Sequence, residues 1–337
     1  MEVKIKDVAA KAGVSSATVS RVVNNRGNVT PETREKVLRV IREMGYLPNA
    51  VAKSLRSQKT MALGVIVPEI NHSYYAEIIK GIENKAYKNQ YKVIICDTGN
   101  NREKELEFIG LLMNKTVDGM ILVTPTLSDE EIVRFAENGY SIALVGRYIE
   151  HQDISCIFTD NVKFSKEVVC HLVEQGHRDI AFLSGYADAI DSYERLDGYL
   201  KGLREHKLPF NPGLVENGNF SEEGGYQAVK RLLEQHPEVT AVYAANDEMA
   251  LGVYRFCAEY GIRIPERLAV VGVDDNRISR YISPKLSTVR QPTLEMGMAA
   301  AEKLILQLET GALKGERALK LESRLIVRES SVFGGVR

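Results

Sequence analysis

The apolar residues at the start of the chain predict two short helices separated by a tight turn. From Ile5 to Ala12, apolar residues recur at i, i+3, i+4 and i+7, the spacing of one buried helix face. Gly13 follows at once and can take the left-handed backbone with which helices commonly end. A second helix is expected to begin near Ser15, a favoured N-cap residue. Its apolar face comprises Val19, Val22 and Val23.

The opposite face of this second helix is small, polar and cationic, comprising Ser16, Ala17, Ser20, Arg21 and Asn24. Two short helices joined by a glycine-containing turn, the second with such a face, are typical of a helix-turn-helix that reads DNA. An ordinary corner between two helices has the same spacing and stands as the alternative at this point.

A third helix is predicted to complete a small bundle. Thr30 is a favoured N-cap, Pro31 suits the first helical turn, and Glu32 lies near the positive end of the helix dipole. An apolar stripe then runs to Met44, and Gly45 ends the helix. The head of the chain is therefore expected to be a three-helix unit of fewer than 50 residues.

Beyond Ala62 the pattern changes to short apolar runs that alternate with amphipathic segments. The runs predict buried strands at 63–67, 93–96, 119–123, 141–145, 180–183, 241–244 and 268–273. The segments between them predict helices at 74–89, 102–115, 128–138, 161–175, 193–207, 221–235 and 247–260. This alternation indicates an α/β body of two lobes, each a doubly wound parallel sheet.

Charge is distributed unevenly between the head and the body. The 337 residues carry a formal net charge of −1, yet residues 1–59 hold 12 Lys and Arg against 5 Asp and Glu. The rest of the chain holds 32 basic against 40 acidic residues. A basic head on an acidic body indicates that the head alone meets a polyanion such as DNA.

The sequence contains no pattern that points to catalysis or to a metal. Its cysteines are far apart and are expected to be buried thiols: Cys96, Cys156, Cys170 and Cys257. It has no G-x-S-x-G, Walker, dinucleotide-binding or zinc-protease motif, so no enzyme, cofactor or metal is expected. An enzyme that carries a DNA-binding head is the alternative from a different class. No apolar run approaches 18 residues and no signal peptide is apparent, so we expect a soluble, cytoplasmic protein without a membrane partner.

Several motifs resemble the lactose- and galactose-repressor family of bacterial transcription regulators: DVAAKAGVSSATVSRVVNN, GYLPNAVAKSLRS, NDEMALG and VGVDD. They occur in the order and at the spacing of that family, and the resemblance covers essentially the whole chain. It implies a body like that of periplasmic small-molecule binding proteins, in which the chain passes between the lobes near Asp160, at 289–291 and at 321–324. The helix after Pro292 would then belong to the first lobe.

The expected domains are a helix-turn-helix unit at 1–47, a hinge helix or linker at 48–60, and an effector-binding and dimerisation domain at 61–337. Lobe 1 would comprise about 61–160 and 291–322, and lobe 2 about 161–290 and 323–337. The linker has helix-forming composition but is too short to be stable alone, so it is expected to become helical only when docked. A plain surface linker is the alternative.

The DNA-binding candidates lie in the reading helix and the linker. On the reading helix, we expect the major groove to be contacted by Ser16, Ala17 and Arg21. We expect Thr18 and Ser20 to lie nearer the phosphates. Leu55, with Ala52 one turn before it, is expected to insert into a central base step of the operator through the minor groove. The full set is Lys6, Ser15, Ser16, Ala17, Thr18, Ser20, Arg21, Asn24, Asn49, Ala52 and Leu55.

The effector candidates follow predicted strands, because open α/β sheets bind ligands at the carboxyl ends of their strands. Asn246 and Asp274 end two strands and suit hydrogen bonds to vicinal hydroxyls, whereas the adjacent Asp247 and Asp275 are expected to cap helices. Asp160 is either a ligand acceptor or the N-cap of the next helix. The resemblance adds aromatic contacts and an arginine contact, which gives the full set of Asn71, Ser73, Tyr74, Tyr75, Asp160, Arg195, Phe220, Asn246 and Asp274.

These features predict an effector-controlled transcription regulator, most simply a repressor of carbohydrate-metabolism genes that binds a palindromic operator as a homodimer or tetramer. The expected effector is a sugar or sugar phosphate, either an inducer or a corepressor. The alternatives are a purine-type corepressor-dependent repressor and a catabolite-control-type regulator that responds to a phosphorylated carrier protein. Glu302 disfavours the second, since it stands where that branch has an arginine and would repel a phosphoserine.

Overall fold

The computed structural model describes residues 3–23, 27–46, 59–313 and 315–332. The chain divides into two compact units, Met1–Thr60 and Met61–Arg337. Among the residues described, every helix is too short or too polar to cross a membrane.

The described residues of the first unit form three helices, as the sequence predicts: α1 (Ile5–Ala12), α2 (Ser16–Val23) and α3 (Pro31–Met44). Gly13 and Gly45 take left-handed backbone, with φ of 65° and 61°, and end α1 and α3. Thr30 begins α3 by accepting a hydrogen bond from the backbone N–H of Thr33 at 3.3 Å. The three helices enclose a core of Val8, Ala9, Ala12, Val19, Val22, Val37 and Val40.

The first lobe of the second unit is a six-stranded parallel sheet with helices on both faces. Its strands are β1 (Ala62–Val67), β2 (Lys92–Asp97), β3 (Gly119–Val123), β4 (Ile142–Val145), β5 (Ile154–Thr159) and β11 (Ala318–Leu321), in the order β11-β5-β4-β3-β1-β2. Its helices are α4 (Ser73–Lys88), α5 (Arg102–Met113), α6 (Asp129–Glu137) and α11 (Thr293–Thr310).

The second lobe repeats this architecture. Its strands are β6 (Ile180–Ser184), β7 (Val215–Asn217), β8 (Ala241–Ala244), β9 (Ala269–Asp274), β10 (Ser287–Arg290) and β12 (Arg324–Ile326), in the order β12-β10-β9-β8-β6-β7. Only β12, which pairs antiparallel with β10, breaks the parallel pattern among the strands described. Its helices are α7 (Asn161–Glu174), α8 (Ile190–Glu205), α9 (Glu222–Gln235) and α10 (Asp247–Glu259).

Strand β1 shows why the body's strands are apolar throughout rather than alternating. Leu63 and Val65 pack into the core that contains α4 and α11, whereas Ala62 and Ile66 pack into the core that contains α5 and α6. Both faces of the sheet are therefore covered, which requires apolar residues at every position. The predicted doubly wound α/β fold with two lobes is confirmed.

The chain passes between the lobes three times: from β5 into α7, from β10 into α11, and from β11 into β12. The strand before each passage, β5, β10 or β11, runs parallel to a neighbouring strand, so each passage leaves from the carboxyl end of a strand. Helix α11 lies in the first lobe and packs against α4. The passages converge on the region where the carboxyl ends of the two sheets face each other.

Five strands were not predicted from the sequence. β5 has the same kind of apolar run as its neighbours, so the same pattern could have predicted it. The other four, β7, β10, β11 and β12, have only three or four residues each, so pairing with a neighbouring strand rather than local pattern defines them. Most of the predicted linker, from 48 to 58, lies outside the described residues.

Candidate effector cleft and nucleic-acid interface

Side chains from both lobes line a cavity at the carboxyl ends of the two sheets. Lobe 1 contributes the segment after β1 and the first turn of α4, and lobe 2 contributes the segments after β6, β7, β8 and β9 and the start of α8. The lining residues are Pro68, Glu69, His72, Tyr74, Tyr75, Tyr186, Asp191, Arg195, Phe220, Asn246 and Asp274. Six of the predicted effector residues therefore meet in one place.

Tyr74 and Tyr75 form the lobe 1 wall of the cavity. Their rings pack edge to face, with centroids 5.2 Å apart, and the hydroxyl of Thr124 donates to the Tyr75 hydroxyl oxygen at 3.3 Å. Burial, together with the nearby Asp191 and Asp274 carboxylates, raises the pKa of both phenols well above the ordinary value. Both rings are therefore neutral hydrogen-bonding groups on an aromatic wall.

Arg195 is buried in the opposite wall, with only 4% of its surface exposed. Its Nε donates to Asn161 Oδ1 at 3.0 Å, and its Nη1 donates to the backbone carbonyl of Ala245. Its Nη2 lies 3.5 Å from Oδ2 of Asp191, one helical turn earlier on α8. The guanidinium is thus held in place mainly by the protein itself, with one nitrogen directed towards a carboxylate of the cavity.

Asn246 serves as the N-cap of α10, the role that the sequence analysis assigned to its neighbour Asp247. Its Oδ1 accepts from the backbone N–H of Met249, and its Nδ2 donates to the backbone carbonyl of Phe220, both at 2.9 Å. The amide therefore fixes Phe220 above the cavity. Phe220 itself is 8% exposed and has a φ of 54°, a left-handed conformation that is unusual for an aromatic residue.

Asp274 ends β9 with a strained backbone, since its φ of 114° lies in a region that non-glycine residues rarely adopt. Its Oδ1 accepts a hydrogen bond from Gln291 Nε2 at 2.9 Å. Burial raises the pKa of this carboxyl to about 7, although the Arg195 guanidinium opposes the shift. Strain and a perturbed carboxyl at the end of a strand are typical of functional sites.

The expectation that Asp247 and Asp275 cap helices is wrong for both residues. Asp247 is fully buried and accepts from the Thr288 hydroxyl at 2.6 Å and from the Asn276 N–H at 2.8 Å. Asp275 forms ion pairs with three arginines, Arg280, Arg290 and Arg328. Although burial alone would raise it, these ion pairs hold the pKa of Asp275 below its usual range. Each carboxylate joins segments that are distant in sequence, which local pattern does not reveal.

Three predicted effector residues do not line the cavity. Asp160 caps α7, since its Oδ1 accepts from the Lys163 N–H at 2.9 Å, and its Oδ2 lies 3.2 Å from Lys320 Nζ. This selects the N-cap interpretation of the two that the sequence left open. Asn71 and Ser73 are exposed on the loop before α4 and at its first residue, and only their neighbours face inward.

The sequence analysis missed five residues that line the cavity, Pro68, Glu69, His72, Tyr186 and Asp191, and it also missed Gln291, which donates to Asp274. Asp191 precedes Arg195 by four residues, the spacing of an ion pair along one helix face, so a helix starting at Ile190 would have revealed it. Gln291 follows β10 and joins the two lobes, because its Oε1 accepts from the Thr159 hydroxyl at 2.8 Å. No local signal marks Gln291, since its strand has only four residues.

On the first unit, α2 presents the predicted reading face. Ala17 and Arg21 are exposed, while Ser16, Thr18 and Ser20 are half-buried. Ser15 begins the helix, since its Oγ accepts from the Thr18 N–H at 3.1 Å and lies 2.9 Å from the Thr18 hydroxyl. Lys6 is exposed on α1. The other DNA-binding candidates lie outside the described residues: Asn24, Asn49, Ala52 and Leu55.

The fold and the site define a class: a helix-turn-helix unit joined to a two-lobed small-molecule-binding body. Residues 4–49 match the model of bacterial regulatory proteins of the lacI family, and residues 169–331 match the periplasmic binding protein-like domain. The chain is 35% identical to catabolite control protein A of Priestia megaterium, over 98% of this chain and 100% of that protein.

Two further proteins are similar along the whole chain. The ribose operon repressor of Haemophilus influenzae is 34% identical over 97% of this chain and 98% of its own length. The structure of the lac repressor dimer bound to operator and the anti-inducer ONPF superposes with a TM-score of 0.87, at 28% identity, over 98% of this chain and 100% of that one. The chain therefore belongs to the LacI family of bacterial regulatory proteins and is a DNA-binding transcription regulator.

Proposed function

We propose that this regulator is a homodimeric repressor of carbohydrate-metabolism genes, which binds a palindromic operator in the cytoplasm and responds to a small molecule in the cleft. The observation that carries the proposal is the cavity in which Tyr74 and Tyr75 of lobe 1 face Arg195 and Asp274 of lobe 2. A ligand that touches both walls favours the closed lobes by its difference in affinity alone, and only that difference can shift DNA binding.

The chemistry of the cavity supports a polyhydroxyl ligand. Aromatic side chains line both walls, and carboxylate and phenol groups suited to hydroxyls lie between them. The similarity to a ribose operon repressor is in keeping with this chemistry. We propose that Tyr74, Tyr75, Arg195, Phe220, Asn246 and Asp274 form the effector site, with Phe220 and Asn246 shaping it and Asp274 contacting the ligand.

On the DNA side, we propose that α2 lies in the major groove of each half-site. The exposed guanidinium of Arg21 can donate two hydrogen bonds to guanine O6 and N7, and Ala17 leaves room for a thymine methyl group. Lys6, Ser15, Ser16, Thr18, Ser20 and Asn24 would contact the backbone or adjacent bases. Asn49, Ala52 and Leu55 would act from the linker in the minor groove.

Exposed apolar side chains support self-association of the body. Tyr87 at the end of α4, Ile95 on the edge strand β2 and Met113 at the end of α5 are all exposed in lobe 1, and Ile278 and Tyr281 are exposed in lobe 2. An unpaired sheet edge that carries an exposed isoleucine is expected to be covered by a partner. We expect Ile95→Asp to convert the dimer to monomers in sedimentation analysis, while the exposed control Tyr260→Asp leaves it dimeric.

We propose that the ligand is bound and not transformed. The chain combines a helix-turn-helix unit with a cavity whose polar side chains are held by hydrogen bonds to the protein. This combination suits reversible control of DNA binding, in which the ligand leaves the cavity unchanged. A ligand incubated at saturation with the protein should be recovered intact by mass spectrometry. Any turnover that the Asp274→Ala variant abolishes would favour the enzyme alternative.

The decisive experiment measures operator affinity with and without ligand at one fixed salt concentration, since protein–DNA affinities depend steeply on salt. The variants Arg195→Ala and Asp274→Ala should bind operator and dimerise as the wild type does but lose the response to ligand. Asp197→Ala is the matched control, because Asp197 lies on the same helix as Arg195 and, within the described part of the chain, its carboxylate forms an ion pair with the exposed Lys201 at 2.7 Å. If both cleft variants still respond at wild-type ligand concentrations, the effector site is elsewhere.

A second candidate function is control by a phosphorylated carrier protein, which the similarity to catabolite control protein A favours. Against it, Glu302 is exposed on α11 and forms an ion pair with Lys85 at 2.8 Å, so this surface presents an acid to an incoming phosphoserine. Adding a serine-phosphorylated carrier to the operator-binding assay distinguishes the two. If the phosphorylated carrier raises the operator affinity of the wild-type protein, carrier control is supported. Adding a purine base to the same assay tests the corepressor alternative.

A further inference from the structure

We propose that the cleft selects a hydroxyl-bearing ligand that also carries a protonated amine, the chemistry of an amino sugar, and that it disfavours a sugar phosphate. This rests on the proposed function, since it concerns the ligand of the same cleft. It narrows the sequence-based expectation, which left sugars and sugar phosphates open.

The first support is the balance of charge in the cavity wall. Asp191 and Asp274 both line the cavity, and a single buried guanidinium, that of Arg195, faces them. Asp191 Oδ2 is 3.5 Å from Arg195 Nη2, which is beyond the usual hydrogen-bond length. The two charges attract each other, but the Asp191 carboxylate can still accept a hydrogen bond from a ligand. Glu69 adds a further carboxylate at the rim, where His72 lies 3.4 Å from it. Above about pH 7, where Asp274 is ionised, the wall therefore carries more negative than positive charge.

The second support is that the N–H groups which Arg195 leaves for an anion lie beside a carboxylate. Arginine binds phosphate best through two parallel N–H donors. Here Nε is used by Asn161 and Nη1 by the Ala245 carbonyl, and Nη2 points to Asp191. A phosphate at this position could reach only the remaining N–H groups of Nη1 and Nη2, and it would then lie beside two carboxylates.

The third support comes from the phenol of Tyr74, which reports on the potential inside the cavity. Burial is the main reason that the pKa of Tyr74 is raised well above its ordinary value, and the charges of Asp191 and Asp274 add to it. An anionic ligand between the same groups would be repelled by these two carboxylates in addition to the cost of its burial. A cation would also pay the cost of burial, but it would be attracted by the two carboxylates and by the electron-rich faces of the surrounding aromatic rings.

A second cavity between the two lobes does not supply a phosphate site either. It is lined by Arg102 and Arg147, but each of these already forms an ion pair, Arg102 with Glu131 and Arg147 with Asp129. Arg147 also donates to the backbone carbonyl of Leu127 at 2.6 Å. The two arginines are thus part of the lobe's own structure.

The experiment compares matched probes on the full-length protein by isothermal titration and thermal shift. Each set holds one stereochemistry constant and changes one group: glucosamine, glucose and glucose 6-phosphate, and then the galactose and mannose equivalents. The amine member of at least one set should bind at least about tenfold more tightly than its neutral partner, and the phosphate member of that set should bind most weakly.

Two variants then test the carboxylates independently. Asp191→Asn and Asp274→Asn should each weaken the amine probe by about tenfold or more while changing the neutral probe little, so that the ratio of the two affinities falls. A purely structural role would lower both affinities together and would also lower the melting temperature of the ligand-free protein. Asp197→Asn removes a charge from the same helix as Asp191 but away from the cavity, and it should leave the ratio unchanged.

The outcomes separate the two proposals. If a neutral or phosphorylated sugar binds better than its amine and Arg195→Ala abolishes that binding, the cleft is the effector site but the proposed selectivity is wrong. If a probe binds equally well to Arg195→Ala and to both carboxylate variants, the cleft is not the effector site. If no member of any set binds at millimolar concentration, the ligand is not a hexose amine and the proposal is overturned.

Discussion

Gln291 connects the effector cavity to the passages between the two lobes. Its Nε2 donates to Asp274 Oδ1 at 2.9 Å, and its Oε1 accepts from the Thr159 hydroxyl at 2.8 Å. Thr159 ends β5 in lobe 1 immediately before the first passage, and Gln291 lies at the second passage. The carboxylate that we propose as a ligand contact is thus linked through one buried amide to the point where two of the connecting segments leave their strands.

We predict that Gln291→Ala uncouples ligand binding from DNA binding. The variant loses both hydrogen bonds, so the ratio of operator affinities with and without ligand should move towards one, even where ligand still binds. Gln307→Ala is the control, since Gln307 is equally buried and donates to the Asp153 carbonyl at 3.1 Å, away from the cavity. The prediction is wrong if Gln291→Ala and Gln307→Ala lower stability alike and both respond normally.

A second prediction concerns the pH dependence of stability through Asp274. Its pKa is about 7 in the folded protein, against about 4 in an unfolded chain. Between these values the folded state binds more protons, so stability falls as the pH rises, and the loss is complete above about pH 7. Asp274→Asn should therefore raise the melting temperature of the ligand-free protein at about pH 8 and change it little at about pH 4.

Asparagine has nearly the same size and shape as aspartate, so the strained backbone at this position is the same in both proteins. Asp197→Asn serves as the surface control and should show no pH-dependent difference. An equal rise for Asp274→Asn at both pH values would mean that packing or backbone strain, not ionisation, is responsible.

A third prediction concerns the contact between α4 and α11. A Cβ at Gly81 would overlap the backbone carbonyl oxygen of Leu294, and one at Gly297 would overlap that of Ile78. Either glycine-to-alanine change should push the helices apart and lower stability by about 1–3 kcal/mol, measured by chemical denaturation. Gly110→Ala on α5 is the matched control. A Cβ there meets no heavy atom within 4 Å, so the change should stabilise by about 0.5–1 kcal/mol.

A fourth prediction concerns base recognition by Arg21. Arg21→Ala should cost about 1–3 kcal/mol in specific binding and relax the preference at one position in each half-site, as measured by selection from randomised operators. Arg42→Ala changes an exposed arginine of α3, whose Nε donates to its own helix at Leu38 O, and should leave every preference intact. A uniform loss of affinity for all sequences in Arg21→Ala would instead indicate a phosphate contact.

A fifth prediction concerns Leu55, an apolar residue within a basic linker. Leu55→Ala should reduce operator bending in a fluorescence-transfer assay and lower specific affinity, because the wedge into the central base step is lost. Leu38→Ala removes an exposed leucine from α3 and is the control for general effects on the head. A lower melting temperature without DNA, together with unchanged bending, would show that Leu55 packs within the protein.

The sequence by itself determined the elements whose causes are local. Gly13 and Gly45 end their helices and Thr30 begins one because each acts on the backbone within three residues of itself. The strands β1 and β3 could also be predicted from the sequence. A strand that is buried on both faces is a continuous apolar run, which the sequence shows directly. The family motifs and the position of the polar loops at strand ends then located the cleft.

Only the tertiary structure decided which polar side chains face that cleft and what holds them. Asp160 and Asn246 both follow strands and both cap helices, yet only Asn246 lines the cavity. Asp191 and Gln291 went unrecognised, although both lie in or beside the cavity. The reason is physical for Gln291 and for the second bond of Asn246, because their partners lie 17 or more positions away in the chain and strand order, not local periodicity, brings them together. Asp191 has its partner Arg195 only four residues away, and it was missed because its helix begins earlier than the pattern predicted.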